Sequence, residues 1–287
     1  MNINSSFSHR REEPESGTLY LVGTPIGNLS DISLRAINIL KNVSLIACED
    51  TRQTRKLTNR FDIKNKLISF NKHNSLNRIP KIINYLREGK SIALVSDAGM
   101  PSICDPGEEL VKNLKLNKLE TICIPGPSAA LTALVSSGFP ASKFIFEGFL
   151  PKKKKEREKI LSEISKNEKT TILFESPHRL HKLLNELKDF LGGQREIFVS
   201  RELTKKFEEQ IKNNIDSLLE VFKGKEILGE ITIVIKGIEE TNKEDIDKSC
   251  LKKELKDLVN AGLSLSSASK YLAKKKNLKR NLIYNLY

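Results

Sequence analysis

The chain has 287 residues, 38% of them hydrophobic and 30% charged, with 49 Lys and Arg against 36 Asp and Glu. That apolar content supports packed cores and excludes global disorder, while the length predicts two domains with a small third one. The net charge of +13 favours a polyanionic partner, nucleic acid or an anionic membrane surface, although a solvated basic surface accounts for it equally well.

Residues 1–16 are polar, lack the apolar segment of a signal peptide and read as a disordered tail. No apolar run is long enough to cross a bilayer, so no membrane association is expected and a cytoplasmic location is. Short apolar or β-branched runs follow at 18–22, 45–47, 92–95, 121–124, 143–146, 171–174, 197–199 and 231–235. Helical patterns lie between them, such as Leu34, Ile37 and Leu40, then Ile79, Ile82, Ile83 and Leu86, then Leu180, Leu183, Leu184 and Leu187. Strands alternating with helices predict an α/β protein with largely parallel sheets. Pro140 and Pro151 flank the strand at 143–146, and a polar acidic stretch follows Gly237. The expected domains are therefore 17–138 and 139–240, followed by a small basic helical unit at 245–287 with ten Lys and Arg against four Asp and Glu.

The strands run into turns rich in Gly, Pro, hydroxyls and charges: Gly23-Thr-Pro-Ile-Gly-Asn28, Cys48-Glu-Asp-Thr-Arg52, Ser96-Asp-Ala-Gly-Met-Pro101 continuing to Asp105-Pro-Gly107, Pro125-Gly-Pro-Ser-Ala129, Glu175-Ser-Pro-His-Arg179 and Ser200-Arg-Glu-Leu-Thr-Lys205. Turn chemistry explains the Gly and Pro residues but not the charges beside them. In open α/β sheets ligands bind outside the carboxyl ends of strands, so parallel strands would gather these turns along one edge. Several enzyme classes are disfavoured. No GxGxxG or GxSxG follows a strand, and Gly89-Lys90-Ser91 precedes a strand where a P-loop would open a helix. Cys48, Cys104, Cys123 and Cys250 form no CxxC pair, which argues against a zinc ribbon and predicts buried free thiols. His178 and His181 lack a third ligand, so no metal is expected.

The segments 17–28, 48–52, 96–107, 124–129, 174–179, 201–209 and 229–234, in this order and spacing, resemble the tetrapyrrole methylase superfamily, the class III S-adenosylmethionine methyltransferases, and within it the members that modify small-subunit ribosomal RNA. The resemblance implies a two-domain α/β fold with S-adenosylmethionine in the cleft, a homodimer, and 2′-O-methylation of a cytidine ribose in the decoding region of 16S rRNA, on naked RNA or the small ribosomal subunit. It places Pro25, Asp97, Ala98, Gly99, Met100, Ser128 and Ala129 at the cofactor. Two positions depart from the family pattern: Met100 replaces a usual Thr, and Cys104 a common Ser.

Each assignment has a plainer counterpart. Asp97 reads as a ligand contact or as an N-cap or Asx turn, and Ser128 as the N-cap of a helix over 129–135. A ribose hydroxyl is a poor nucleophile, so Glu175, Glu202 and Lys205 are candidates to take its proton, with Arg179 and Arg201 positioning phosphate or stabilising the alkoxide. The plainer reading of the 201–205 turn is an ion pair at a helix start. His178 is a further candidate base, and Asp50 with Arg52 forms a cleft wall or a surface pair. For RNA phosphates the candidates are Lys152 to Lys155 with Arg157 and Lys159, and the C-terminal unit. There the stripes Leu265, Ala268, Leu272 and Leu278, Leu282, Leu286 predict two short helices broken at Asn277, presenting Lys274, Lys275, Lys276, Lys279 and Arg280. Packing or dimerisation is the alternative for that unit. Two other functions fit the same fold class: a tetrapyrrole or corrin-precursor methyltransferase, and a non-catalytic RNA-binding assembly factor.

Overall fold

The structure, a computed structural model, describes residues 13–238, 248–276 and 280–287. Most of the sequence-assigned tail, and the positions Asn277, Leu278 and Lys279, lie outside these residues. Residues 13–16, also assigned to the tail, are held in place. Glu13 pairs with Arg35, the Glu15 amide donates to the Tyr20 hydroxyl at 2.7 Å, and the Ser16 hydroxyl donates to the Gly89 carbonyl at 2.8 Å.

The first sheet contains β1 (Leu19–Val22), β2 (Leu45–Cys48), β3 (Leu67–Ser69), β4 (Ile92–Val95) and β5 (Thr121–Ile124), in the order β3-β2-β4-β1-β5. Every pairing in it is parallel. Side chains alternate across a strand, so successive residues enter different cores. Tyr20, Val22, Ala93 and Val95 pack with helix α1 (Leu34–Asn42), whereas Leu19, Ile92 and Leu94 pack with α3 (Ser75–Arg87) and α4 (Glu108–Leu116). The continuous apolar character of these strands follows from burial on both faces. Ser33 caps α1 by accepting from the Ala36 amide, and Asp50 caps α2 (Thr51–Arg60) by accepting from the Arg52 amide.

The second sheet contains β6 (Phe144–Phe149), β7 (Thr170–Glu175), β8 (Glu196–Arg201), β9 (Glu209–Asn214) and β10 (Ile231–Ile235), in the order β6-β7-β10-β8-β9. The expectation of a parallel sheet fails here. Only β6 and β7 pair in parallel, while β10 is antiparallel to both β7 and β8, and β9 is antiparallel to β8. The gathering of turns survives for a geometric reason: two strands that both oppose β10 share a direction. Glu175 and Arg201 consequently both stand opposite Ile231.

One face of this sheet packs α6 (Lys154–Ser165), α7 (Pro177–Leu191) and α8 (Ile215–Phe222). The other face packs α5 (Ala129–Ser137), whose Ala130, Ala133 and Leu134 meet Ile172, Phe198 and Val234 together with Ile26 from the first half. Ser128 caps α5 through the Leu131 amide, as expected, and Gly138 ends it with a left-handed φ of 65°. Residues up to Gly237 thus form one compact unit containing both sheets.

The second compact unit begins at Ile238. It contains α9 (Lys248–Asn260), α10 (Leu265–Lys276) and α11 (Arg280–Tyr284), so a helix not singled out in the sequence precedes the two expected ones. Leu255, Ala268, Leu272 and Ala273 are buried together with Ile283, which replaces Leu282 and Leu286 as the core residue of the last helix. Lys274 and Lys275 are exposed, and Arg280 donates to the Ser266 hydroxyl at 2.9 Å.

Candidate functional site

The turns after β1, β4 and β5 are joined by backbone. Thr24 and Gly99 exchange both amide-to-carbonyl bonds, at 2.9 and 3.0 Å. A Cβ on Gly23 would stand 2.7 Å from the Gly126 Cα and 2.6 Å from the Met100 sulfur. Only paired glycines let the two chain segments approach this closely. From the second sheet, the turn after β8 carries Glu202 and Thr204 at left-handed φ values of 53° and 65°. It is tied across to the first half by the Asn28 amide, which donates to the Thr204 hydroxyl at 3.0 Å.

Between these turns lies a cavity of about 460 Å³. Six of the seven sequence-assigned cofactor residues line it: Asp97, Ala98, Gly99, Met100, Ser128 and Ala129. Pro25 instead lines an adjoining cavity of about 440 Å³. Glu49, Asp105, Ile103, Phe149, Phe174 and Glu230, which the sequence alone does not assign, also line the main cavity. Phe149 and Phe174 meet edge to face with centroids 5.6 Å apart, forming an aromatic wall suited to a planar ring. For Glu49 and Asp105 a signal is present, because both sit in the charged turns. Phe149 and Phe174 give none, since an aromatic at a strand end reads equally well as core.

Three carboxylates in this cavity titrate above their ordinary range. Burial raises Glu49, and the charges of Asp105 and Asp97 add to it. Burial also raises Asp97, although its Oδ1 accepts from the Asp50 amide at 3.0 Å. That bond makes Asp97 a tie between the turns after β2 and β4, and neither an N-cap nor an Asx turn. Burial raises Asp105 too, opposed by Lys72 and by a bond with Ser96. Lys72 itself donates to the Cys104 carbonyl at 3.0 Å.

The residues expected to perform chemistry are arranged differently. Glu175 reaches the cavity, but its side chain is fully buried and bonded to Arg157 at 3.4 Å, to Arg179, and to the Ser176 amide at 2.8 Å. Its oxygens are therefore engaged by protein partners, in place of the free carboxylate that a proton acceptor calls for. Arg179 is consumed in the same network. Arg157, expected at an RNA surface, is 5% exposed and also bonds Glu186 at 2.7 Å. Arg201 bonds Glu209 at 3.0 Å and the Leu228 carbonyl at 3.2 Å, outside both cavities.

Lys205 donates to Glu202 and to Glu230, both at 2.8 Å, and the Glu230 amide donates to Glu202 at 2.9 Å. Burial works against both charges, yet these bonds prevail: Glu202 titrates below its usual range and Lys205 above its own. Glu202 is thus a weakened base and Lys205 a persistent cation, which corrects both as free proton acceptors. The ion pair expected in this turn forms, but no helix starts there: the turn leads from β8 to β9.

His178 is exposed and lines neither cavity, and His181 Nε2 lies 2.8 Å from the Phe222 carbonyl. Asp50 and Arg52 form a surface pair at 2.7 Å, which holds Asp50 down to about 2. Of the described thiols, Cys48 is buried but Cys104 and Cys123 are exposed, contrary to expectation. Among the described residues no group of three or more His, Cys, Asp or Glu is placed to hold a metal, and no helix is long and apolar enough to cross a membrane.

Residues 18–219 match the family of tetrapyrrole (corrin/porphyrin) methylases. The chain is 42% identical over 270 residues to the ribosomal RNA small subunit methyltransferase I of Synechocystis, covering 94% of this chain and 97% of the relative. It is 41% identical over 280 residues to the protein of that name from Bacillus subtilis, covering 95% and 94%. Among solved structures it is similar to a cobalt precorrin-4 methyltransferase, with a TM-score of 0.59 and 17% identity over 77% of this chain and 95% of the other. It is also similar to a Thermus thermophilus uroporphyrin-III C-methyltransferase complexed with S-adenosylhomocysteine, with a TM-score of 0.53 and 17% identity over 76% and 96%. At those identities the solved structures share the fold.

Proposed function

The chain belongs to the tetrapyrrole (corrin/porphyrin) methylase family, and we propose that it transfers the methyl group of S-adenosylmethionine to the ribose 2′-hydroxyl of a cytidine in the decoding region of 16S rRNA. The name shared by relatives that match nearly the whole chain supports small-subunit ribosomal RNA as the acceptor, and the cytidine 2′-hydroxyl is what the family resemblance of the sequence motifs implies. The observation that carries the cofactor half is the main cavity. Its lining includes Phe149 and Phe174, Glu49, Asp97 and Asp105, and no Lys, Arg or His. An aromatic wall suits adenine, and neighbouring carboxylates with no basic side chain in the lining suit a cation.

When bound, the cofactor supplies an electrophilic methyl carbon on a sulfonium. Asp97 and Glu49 would hold its cationic end, and the amides at the start of α5 lie beside the same cavity. Methyl transfer to the ribose oxygen would form the O–C bond as the S–C bond breaks, leaving S-adenosylhomocysteine, with the hydroxyl proton passing to water. Because Glu175, Glu202 and Lys205 are already paired, the chain contributes mainly alignment of donor and acceptor, an effect large enough to dominate such a step. We also propose that the enzyme is a homodimer working in the cytoplasm. Leu131 and Val135, exposed one turn apart on α5, supply an apolar face for a second copy.

The test is incubation of labelled S-adenosylmethionine with small ribosomal subunits that lack the modification, then mapping of the label by nuclease digestion and mass spectrometry. One 2′-O-methylcytidine in the decoding region is expected. Label on a base, or none in RNA although the cofactor binds, would overturn the reading.

A further inference from the structure

The two cavities are nearly equal, at about 460 and 440 Å³, and share the wall formed by Ile26, Asp97, Ala98 and Glu230. Their charges differ. Five carboxylates and no basic side chain line the main cavity. The adjoining one is lined by Lys56 and Lys205, opposed there by Asp97 and Glu230. Lys205 is neutralised by its bonds to Glu202 and Glu230. Lys56 is exposed, donates only to the neutral Gln53 side chain at 2.8 Å, and has no acidic partner among the described residues. Thr54, 5% exposed, lines the same cavity, and its hydroxyl has no hydrogen-bond partner beyond the weak Cys48 thiol beside it. A buried hydroxyl left in this state is costly unless a ligand or water completes it.

We propose that the adjoining cavity is the acceptor chamber, taking one unstacked nucleotide of single-stranded RNA, with its phosphate against Lys56 and its polar edge toward Thr54 and Gln53. The donor then occupies the main cavity, and the methyl crosses at the shared wall. The shared ridge thus separates a chamber with no basic side chain from one that offers a lysine without an acidic partner among the described residues. A nucleotide must leave its stack to enter a pocket of this size. The assignment moves Pro25 from the cofactor to the acceptor side. It rests on the proposed methyl transfer to RNA for the identity of the acceptor.

Two measurements on the full chain test it. In steady-state transfer to small ribosomal subunits, Lys56→Gln should raise KM for the subunit about tenfold, more than it lowers kcat, with the Kd of S-adenosylmethionine unchanged. In filter binding of a single-stranded RNA oligonucleotide across a salt series, the same variant should lower the slope of log K against log salt by about 0.7, the share of one phosphate contact. Thr54→Val, close in shape, should weaken oligonucleotide binding without altering thermal stability. Equal salt slopes for wild type and Lys56→Gln, or a parallel loss of cofactor affinity, would overturn the acceptor chamber. Wild-type protein that binds the oligonucleotide with the Lys56-dependent slope but methylates no RNA would overturn the proposed function alone and support the chamber.

Discussion

Carboxylates stand in the turns at the carboxyl ends of the first sheet and of the second, yet the two sets have opposite surroundings. After β2 and β4, Glu49 and Asp105 are half-buried, Asp97 beside them is more exposed, and desolvation raises all three. After β7 and β8, Glu175 is locked by two arginines and Glu202 by Lys205. The same residue type at the same topological position is therefore ligand-ready in one half and structural in the other. What separates them is a cation from an adjacent element: α6 supplies Arg157 to Glu175 across 3.4 Å, whereas Lys72 reaches the first group mainly through space, with its bond made to a carbonyl.

The largest effect should come from breaking the paired side. Arg157→Met leaves Glu175 buried with one partner fewer, and removing one member of a buried pair costs about 3 kcal/mol or more. Urea unfolding should show that loss; a change below about 1 kcal/mol would mean the network is dispensable. Next, Gly23→Ala forces a Cβ against the Gly126 backbone at 2.7 Å. Overpacking of this kind costs about 2 kcal/mol, and here it should also weaken cofactor binding in calorimetry, because the separated turns form the cavity rim.

The third difference lies in pH. With Glu49, Asp97 and Asp105 raised, the ligand-free fold favours their protonated forms. Their contribution to stability is full below the ordinary carboxylate values and is lost as pH rises through the raised ones. A cation in the cavity favours the charged forms, so affinity for S-adenosylmethionine should increase as pH rises from the ordinary carboxylate range towards neutrality. Titrations showing flat affinity over that interval would contradict the assignment. The smallest effect concerns Glu202→Gln. Loss of a general base lowers a rate by about 10² to 10⁴, but with Glu202 paired, transfer should slow by less than about tenfold. A hundredfold loss of kcat at unchanged cofactor affinity would restore Glu202 as the base.

Much of this is legible in the sequence because it is local. The buried strands announce themselves as apolar runs, Ser128 caps the helix expected after it, and the charged turns mark the cavity. Two strands give no such signal. The three residues of β3 are too few for a pattern. In β9, Glu209–Asn214, the sequence EQIKNN is mostly polar because an edge strand is paired on one side only. The antiparallel insertion of β10 between β7 and β8 also has no local signature. At the site, the sequence marks which turns carry charge but not which charges are already spent. Arg157 lies 18 residues before Glu175, inside a run of lysines. Only the packing of α6 against the sheet shows that this arginine turns inward.

The most direct measurement is a side-by-side calorimetric titration of S-adenosylmethionine into Asp97→Asn and Glu202→Gln. Asn at 97 keeps an oxygen for the Asp50 amide while removing the charge, and losing one charge-assisted bond to a ligand weakens binding by about tenfold or more. The expected result is that weakening for Asp97→Asn and a Kd within about twofold of wild type for Glu202→Gln, a difference well under 1 kcal/mol. Unchanged affinity in the first variant with a large decrease in the second would contradict the cofactor assignment, and would make the second sheet's turns the cofactor site.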